Sequence, residues 1–245
     1  MLVSAIRFEW RRILRFFPTV FFSLAFPVMM LLIFGSIFGN GPAEIFDGLG
    51  TVDITVPAYM ALVIAVTGVM SFPLTMAEYR DKGVLRRLLV TPAKPSTLLL
   101  AQLIVNLVLT LVGLILLVVV GALFLDLRMA DNWFGLVPAL LLVLMSTYSI
   151  GFLIASYAPN ERTATVVAML VYFPMIFLSG ATYPLELMPP AFQTVAKALP
   201  LAWGIDLLQG VWLEAIDPNW TTGTAILAGS TFVCSVLSIR CFRWD

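Results

Sequence analysis

Six runs of apolar residues separated by short polar segments organise the chain. They lie at 19–38, 56–76, 98–125, 136–157, 163–179 and 224–239, and most approach or exceed the roughly 20 residues that a helix needs to cross a hydrocarbon core. The first run closes at Gly39-Asn40-Gly41-Pro42, a strong loop signal. Pro57 suits the first turn of the second run. The third run is long enough to tilt or to project beyond the bilayer. Pro159-Asn160-Glu161-Arg162 makes a tight turn into the fifth. Between the fifth and sixth runs, residues 180–223 mix Leu, Trp and Phe with Pro184, Pro189, Pro190, Pro200 and Pro218. That stretch is too broken for a span and too apolar for a solvated loop, so short helices dipping into the interface are expected.

Two segments outside the runs are amphipathic. Residues 1–18 place Arg7, Arg11, Arg12 and Arg15 among Ile6, Phe8, Trp10 and Ile13, the pattern of a helix lying along a membrane surface. The same arginines also serve simply to hold the N-terminus on one side. In the second segment, 78–89, Arg80, Lys82, Arg86 and Arg87 alternate with Val84, Leu85, Leu88 and Leu89, and Pro92 and Pro95 stop the helix. This helix reads equally as an anchor to anionic headgroups and as a docking element for another protein.

Composition agrees with this pattern. Of 245 residues, 61% are hydrophobic and 11% charged, with a mean hydropathy of +1.02, far from an ordinary soluble domain. The net charge is zero, which gives no sign of a nucleic-acid partner. The positions of the charges are informative. Arg7, Arg11, Arg12, Arg15, Arg80, Lys82, Arg86, Arg87, Lys94, Arg162, Arg240 and Arg243 fall on one side of the six spans, against Arg128 and Lys197 on the other. The positive-inside rule then places both termini in the cytoplasm, with acidic residues such as Glu44, Asp53 and Asp126 outside. No cleaved signal peptide and no structural disulfide between Cys234 and Cys241 are expected.

The spans as drawn contain no ionisable residue, so they offer no carboxylate or His to bind a coupling ion and no dyad for intramembrane catalysis. With no His and two Cys, metal sites built on those residues are largely unavailable, and no metal site is expected. Gln102 and Asn106 lie one turn apart in the third span, and hydrogen bonding between helices is favoured over ligand contact. No G-x-x-x-x-G-K-[ST] loop occurs. A motor, if used, is expected on another polypeptide.

The order of elements, together with two segments, resembles the type-2 ABC transporter permeases, particularly the drug-exporter branch similar to daunorubicin permeases. One segment is Phe177-Leu178-Ser179-Gly180-Ala181-Thr182-Tyr183-Pro184, followed by Met188-Pro189-Pro190 and by 199–210. The other runs from Glu78 through Arg80-Asp81-Lys82-Gly83 and Arg86-Arg87 to Thr91-Pro92. The resemblance implies an all-α membrane protein forming a single permease domain over 1–245. It would have six transmembrane helices, an N-terminal interfacial helix (Arg7, Trp10, Arg11, Arg12, Arg15), a cytoplasmic coupling helix at 78–92, and re-entrant extracellular helices before the last span. It further implies ATPase coupling through Glu78, Arg80, Asp81, Lys82, Gly83, Arg86, Arg87, Thr91 and Pro92, and an extracellular gate at Ser179, Gly180, Pro184, Pro189 and Pro200.

Partners implied are two copies of an ABC ATPase, carrying the ATP and Mg that this chain does not bind itself, and a second permease, identical or related, in a bacterial inner membrane. Gln209 stands where many such permeases carry arginine. Phe72, Met76, Phe173, Met175 and Phe177 are candidates to line a path for a hydrophobic or amphipathic cargo, with packing between helices as the alternative for each. Export of a glycan, lipid or peptide, a non-transporting scaffold, and an ion-coupled carrier are the competing functions.

Overall fold

A computed structural model describes residues 2–42, 48–84, 87, 95–130, 132–182, 185, 188–214 and 220–241. Among them nine helices account for nearly all regular structure: α1 (Leu2–Arg15), α2 (Phe17–Phe38), α3 (Thr51–Asp81), α4 (Pro95–Phe124), α5 (Trp133–Tyr157), α6 (Glu161–Leu178), α7 (Pro190–Ala196), α8 (Pro200–Trp212) and α9 (Trp220–Cys241). Helices α2 to α6 and α9 are long and apolar enough to cross a membrane. Asn132 caps α5 by accepting from the Gly135 N–H, and Asn160 caps α6 by accepting from that of Thr163. At 30 residues, α4 is about 45 Å long and overshoots the hydrocarbon core, as its sequence length suggested.

Helix α3 is the central pillar. Of its span, 89% is buried, against 17–50% for the other five, and it packs on α2, α4, α5, α6 and α8. This enclosure corrects two expectations. The helix that carries the second apolar run extends beyond 56–76, from Thr51 to Asp81, and so includes Asp53, Glu78, Arg80 and Asp81, most of which meet protein groups. Pro57 accordingly lies inside the helix and not in its first turn. The stretch 54–77 of the helix holds no Asp, Glu, Lys, Arg or His.

Both α2 and α3 contain a π-helical turn, at Phe21–Ala25 and Val66–Ser71. In each case a proline follows, Pro27 or Pro73. The ring would clash with the carbonyl four residues back, and widening the helix relieves that contact. In the π register the Phe72 N–H reaches Thr67 O, so the next donor, owed to Gly68 O, is the one that Pro73 lacks. Gly151 of α5 fills the vacancy. A Cβ there would lie 2.0 Å from Gly68 O, so only a glycine Cα–H can sit against this carbonyl.

A polar ladder joins α3 to α4. The Gln102 side-chain amide donates to Phe72 O at 2.9 Å, Ser71 Oγ donates to Asn106 Oδ1 at 2.8 Å, and Thr67 and Thr110 share a hydrogen bond of 2.7 Å. All are buried. Gln102 and Asn106 thus serve helix packing, as favoured from sequence. Asn106→Leu is expected to cost about 1 kcal/mol, mid-range for interhelical hydrogen bonds in bilayers, in a denaturant titration of the micellar protein. An unchanged midpoint would contradict the ladder. Across the bundle, α5 and α9 are joined by hydroxyl pairs, Ser146 with Ser230 and Ser156 with Ser238, both at 2.7 Å.

Candidate functional site

The principal candidate is a groove of about 890 Å3 between α2, α3 and α6. Its floor is one stripe of α3, Tyr59, Leu62, Val66, Met70, Leu74 and Glu78, spaced three or four residues apart so that they share a face. One wall is Phe22, Phe26, Met30 and Phe34 of α2, at intervals of four; the other is Met169, Phe173, Ile176 and Phe177 of α6. The groove is mainly apolar along its length, with Tyr59, Ser71, Thr75 and Tyr172 also in its lining. At one end it meets Arg12, Arg15, Glu78, Lys82 and Glu161, so its mouth carries both signs of charge.

Of the five residues proposed for a path, Phe173 and Phe177 line this groove and are exposed. Phe72, Met76 and Met175 do not, since each is at most 3% exposed inside the bundle. Phe72 packs its ring against Phe152 and Tyr148, with centroids 4.4 and 6.0 Å away. These three are packing residues. The α2 wall was missed. Its only sequence signal is the interval of four from Phe22 to Phe34.

At the charged mouth, α1 is latched to the end of α3. Arg12 donates to Glu78 at 2.8 Å and to Thr75 Oγ1 at 2.7 Å, pairs with Glu9 at 3.3 Å, and lies over the Tyr79 ring at 5.1 Å. The Tyr79 hydroxyl donates to the Glu9 carboxylate. Glu9 is fully buried, and burial pushes its carboxyl above the usual range against the opposing pull of Tyr79 and Arg12. Neither Glu9 nor Thr75 was singled out from sequence. The signal was Glu9 itself, an acid on the Ile6-Ile13 stripe of a helix otherwise rich in arginine. Of the interfacial-helix residues, Arg7, Arg11 and Arg15 are exposed, Trp10 is half-buried, and only Arg12 turns inward. Ile13 packs with Val105 and Leu109 of α4.

The 78–92 segment is divided. Glu78, Arg80 and Asp81 belong to the last turns of α3, which ends because Gly83 takes φ +65°. Glu78 is held by Arg12 and by Lys82 at 2.5 Å. Arg80 donates to the carbonyls of Ala155 and Ala158, at 2.9 and 2.6 Å, and so caps the end of α5. This corrects the reading of 78–92 as one separate helix: Glu78 and Arg80 tie helices together, whereas Asp81, Lys82 and Arg87 are exposed. Arg86, Thr91 and Pro92 lie outside the described residues.

The far end of the bundle is closed by a second knot. Asp53, fully buried, accepts from Asn40 Nδ2 at 3.0 Å and from the Arg128 N–H at 2.9 Å, and Asn40 Nδ2 also donates to Asp126 O at 2.8 Å. Gln209 of α8 donates to Ile54 O at 3.0 Å, a tie that gives this side chain a structural role. Of the gate candidates, Ser179 is buried with its hydroxyl directed at Ile176 O, Gly180 takes φ +87°, Pro189 is the N-cap of α7, and Pro200 is the first residue of α8. Pro184 lies outside the described residues. Helix α8 packs on α3, α5 and α9 through Leu201, Ile205, Leu208 and Trp212.

The sequence profile of the family described as ABC-2 type transporter matches residues 2–213. Among curated proteins the chain is 35% identical over 85 residues to Nodulation protein J of Rhizobium leguminosarum bv. viciae, covering 34% of this chain and 33% of that protein. It is 26% identical over 164 residues to YbhS of Escherichia coli, named as a probable multidrug ABC transporter permease, covering 66% and 44%. It is 24% identical over 236 residues to a Porphyra purpurea protein with the name "Putative transport permease ycf38", covering 95% and 79%. The alignments therefore span less than half the length of the first two relatives.

Proposed function

The chain belongs to the ABC-2 type transporter family, and we propose that it is the membrane permease subunit of an ATP-driven exporter of hydrophobic or amphipathic, drug-like compounds. The observation that carries this reading is the groove: about 890 Å3, apolar from Phe34 to Met70, and charged at its mouth. Such a surface suits a molecule with an apolar body and a polar end. The name of the Escherichia coli relative supports a drug-like cargo. A glycan, lipid or peptide with an apolar portion would use the same route.

ATP is hydrolysed on two copies of a partner ATPase beneath the basic end, which faces the cytoplasm of a bacterial cell. The exposed Asp81 at the end of α3, with Lys82 and Arg87 after it, provides its docking surface. A second permease covers the open side of the groove. ATP-driven movement of the basic end is transmitted along α3, which forms the floor and carries the Arg12 latch.

Met70→Trp, which fills the floor at mid-depth, is expected to cut ATP-driven transport by the reconstituted complex about tenfold, equivalent to 1.4 kcal/mol of lost cargo fit. Ile115→Trp, on the outward face of α4, should leave it unchanged. Equal rates in the two variants would contradict the groove as the route.

A further inference from the structure

Among the hydroxyl groups of the groove lining, those of Ser71 and Thr75 are engaged inside the protein. Ser71 Oγ donates to Asn106 Oδ1 at 2.8 Å, and Thr75 Oγ1 donates to Ser71 O at 2.9 Å and accepts from Arg12 at 2.7 Å. Tyr59 of the α3 floor and Tyr172 of the α6 wall differ. Both line the groove, and among the described residues neither phenol hydroxyl has a hydrogen-bond partner. Tyr59 is 3% exposed, and its hydroxyl is not sealed off as Ser23 Oγ and Gln102 Oε1 are, so the surface it keeps opens into the groove. Tyr172 is half-buried, with its ring set edge-on to Phe173 at 5.6 Å between centroids. A buried tyrosine ordinarily finds a partner for its O–H. Two that lack one, on the floor and wall of a single groove, point to a partner that arrives with the ligand. Both stand away from the charged mouth: Tyr172 is about 16 Å along α6 from Glu161, and Tyr59 about 28 Å along α3 from Glu78.

We propose that Tyr59 and Tyr172 are specificity-determining residues of the groove, whose hydroxyls donate to oxygen acceptors on the body of the cargo. The inference rests on the groove being the export route and narrows what travels along it: amphipathic compounds whose apolar body carries carbonyl oxygens, in preference to plain alkyl amphiphiles. A hydrocarbon body that fills the groove takes water from both hydroxyls and offers no acceptor in return, which leaves two donors unpaired. A carbonyl at the same depth accepts the O–H and removes that cost. Sites built to hydrogen-bond a ligand reject the analogue that lacks the group far more strongly than an apolar pocket rejects a missing methylene. Because the two hydroxyls stand at different depths, an acceptor that leaves Tyr172 on its way from the mouth meets Tyr59 next.

Two fluorescent amphiphiles with the same polar head and chain length, one all-methylene and one with two keto groups in the chain, test this on the complex of the full chain with its partner ATPase. Binding is read in nanodiscs without ATP, and uptake in proteoliposomes with ATP. The affinity ratio of keto to methylene probe is expected to be about tenfold higher in the parent than in the double variant Tyr59→Phe, Tyr172→Phe, a factor equal to 1.4 kcal/mol. Comparing the ratio between parent and variant cancels the unequal partition of the two probes into the bilayer. Part of the change should be a gain: the methylene probe should bind the variant more tightly, because no hydroxyl is then left unpaired. A purely structural role for the tyrosines would not produce that gain, and the Phe side chains keep the rings while removing no hydrogen bond within the described protein. An unchanged ratio in the double variant, or weaker binding of the methylene probe by the variant than by the parent, would overturn the inference. ATP-driven uptake of both probes in the same ratio by parent and variant would also overturn it, while leaving the export reading in place. Binding with the expected preference but no ATP-driven uptake of either probe would uphold the tyrosines as donors and overturn the export reading instead.

Discussion

Gly151→Ala is expected to destabilise the protein by about 3 kcal/mol, the upper end of the overpacking range. The added Cβ would fall 2.0 Å from Gly68 O and 3.1 Å from Gly68 C. Both are backbone atoms that cannot rotate away, so α3 and α5 must separate. That separation would break the contact between the π turn of α3 and α5 and loosen the packing of Phe72 against Phe152. Gly229→Ala in α9 is the matched control, since a Cβ there meets nothing within 4 Å. It should be neutral or stabilising by about 0.5–1 kcal/mol through helix propensity. Thermal unfolding in detergent separates the two, and equal midpoints would show that the close approach of α3 and α5 is absent.

Arg12→Ala is the second large effect, with an expected loss of about 3–5 kcal/mol. The substitution removes the partner of a fully buried carboxylate and leaves its charge uncompensated. Arg12→Ala combined with Glu9→Leu should recover much of that loss, because the buried charge is then gone as well. Lys82→Ala should cost less than about 1 kcal/mol, as an exposed pair is worth little and Arg12 still holds Glu78. The defect should also depend on pH with a defined sign. Burial raises the Glu9 carboxyl above its ordinary value of 4.5, so docked α1 binds a proton more tightly than undocked α1. Docking is therefore favoured fully below that value and weakens as pH rises through the elevated one. In Arg12→Ala, hydrogen-exchange protection of α1 should consequently return as the pH is lowered toward 4.5. Protection equal to the parent's at neutral pH would contradict the latch.

The spans were legible because uninterrupted apolar runs of membrane length leave a chain few alternatives. Which face of each span looks inward was not. In a helix apolar all round, the periodicity that marks a buried face disappears, so Phe72, Met76 and Met175 looked as suitable for a path as Phe173 and Phe177. The stripe from Phe22 to Phe34 did not stand out among its apolar neighbours. Glu9 was legible as a lone acid, but its burial arises from the meeting of α1 with α3, a contact between residues 70 apart in sequence. Glu78 and Arg80 looked like surface charges because they open the basic amphipathic stretch 78–89. The stop at Gly83, a recognisable helix terminator, was the clue that they belong to the span before it.

The proposed export activity requires ATP, spent on a partner chain, to move a cargo along the groove. The most direct measurement is uptake of a fluorescent amphipathic compound into inside-out vesicles containing this chain and its partner ATPase, with proton and sodium gradients collapsed by ionophores. Uptake that requires ATP and survives the loss of both gradients is the predicted result. Uptake driven by an imposed proton or sodium gradient without ATP would contradict it, since residues 54–77 of the central helix hold no Asp, Glu, Lys, Arg or His to bind the driving ion.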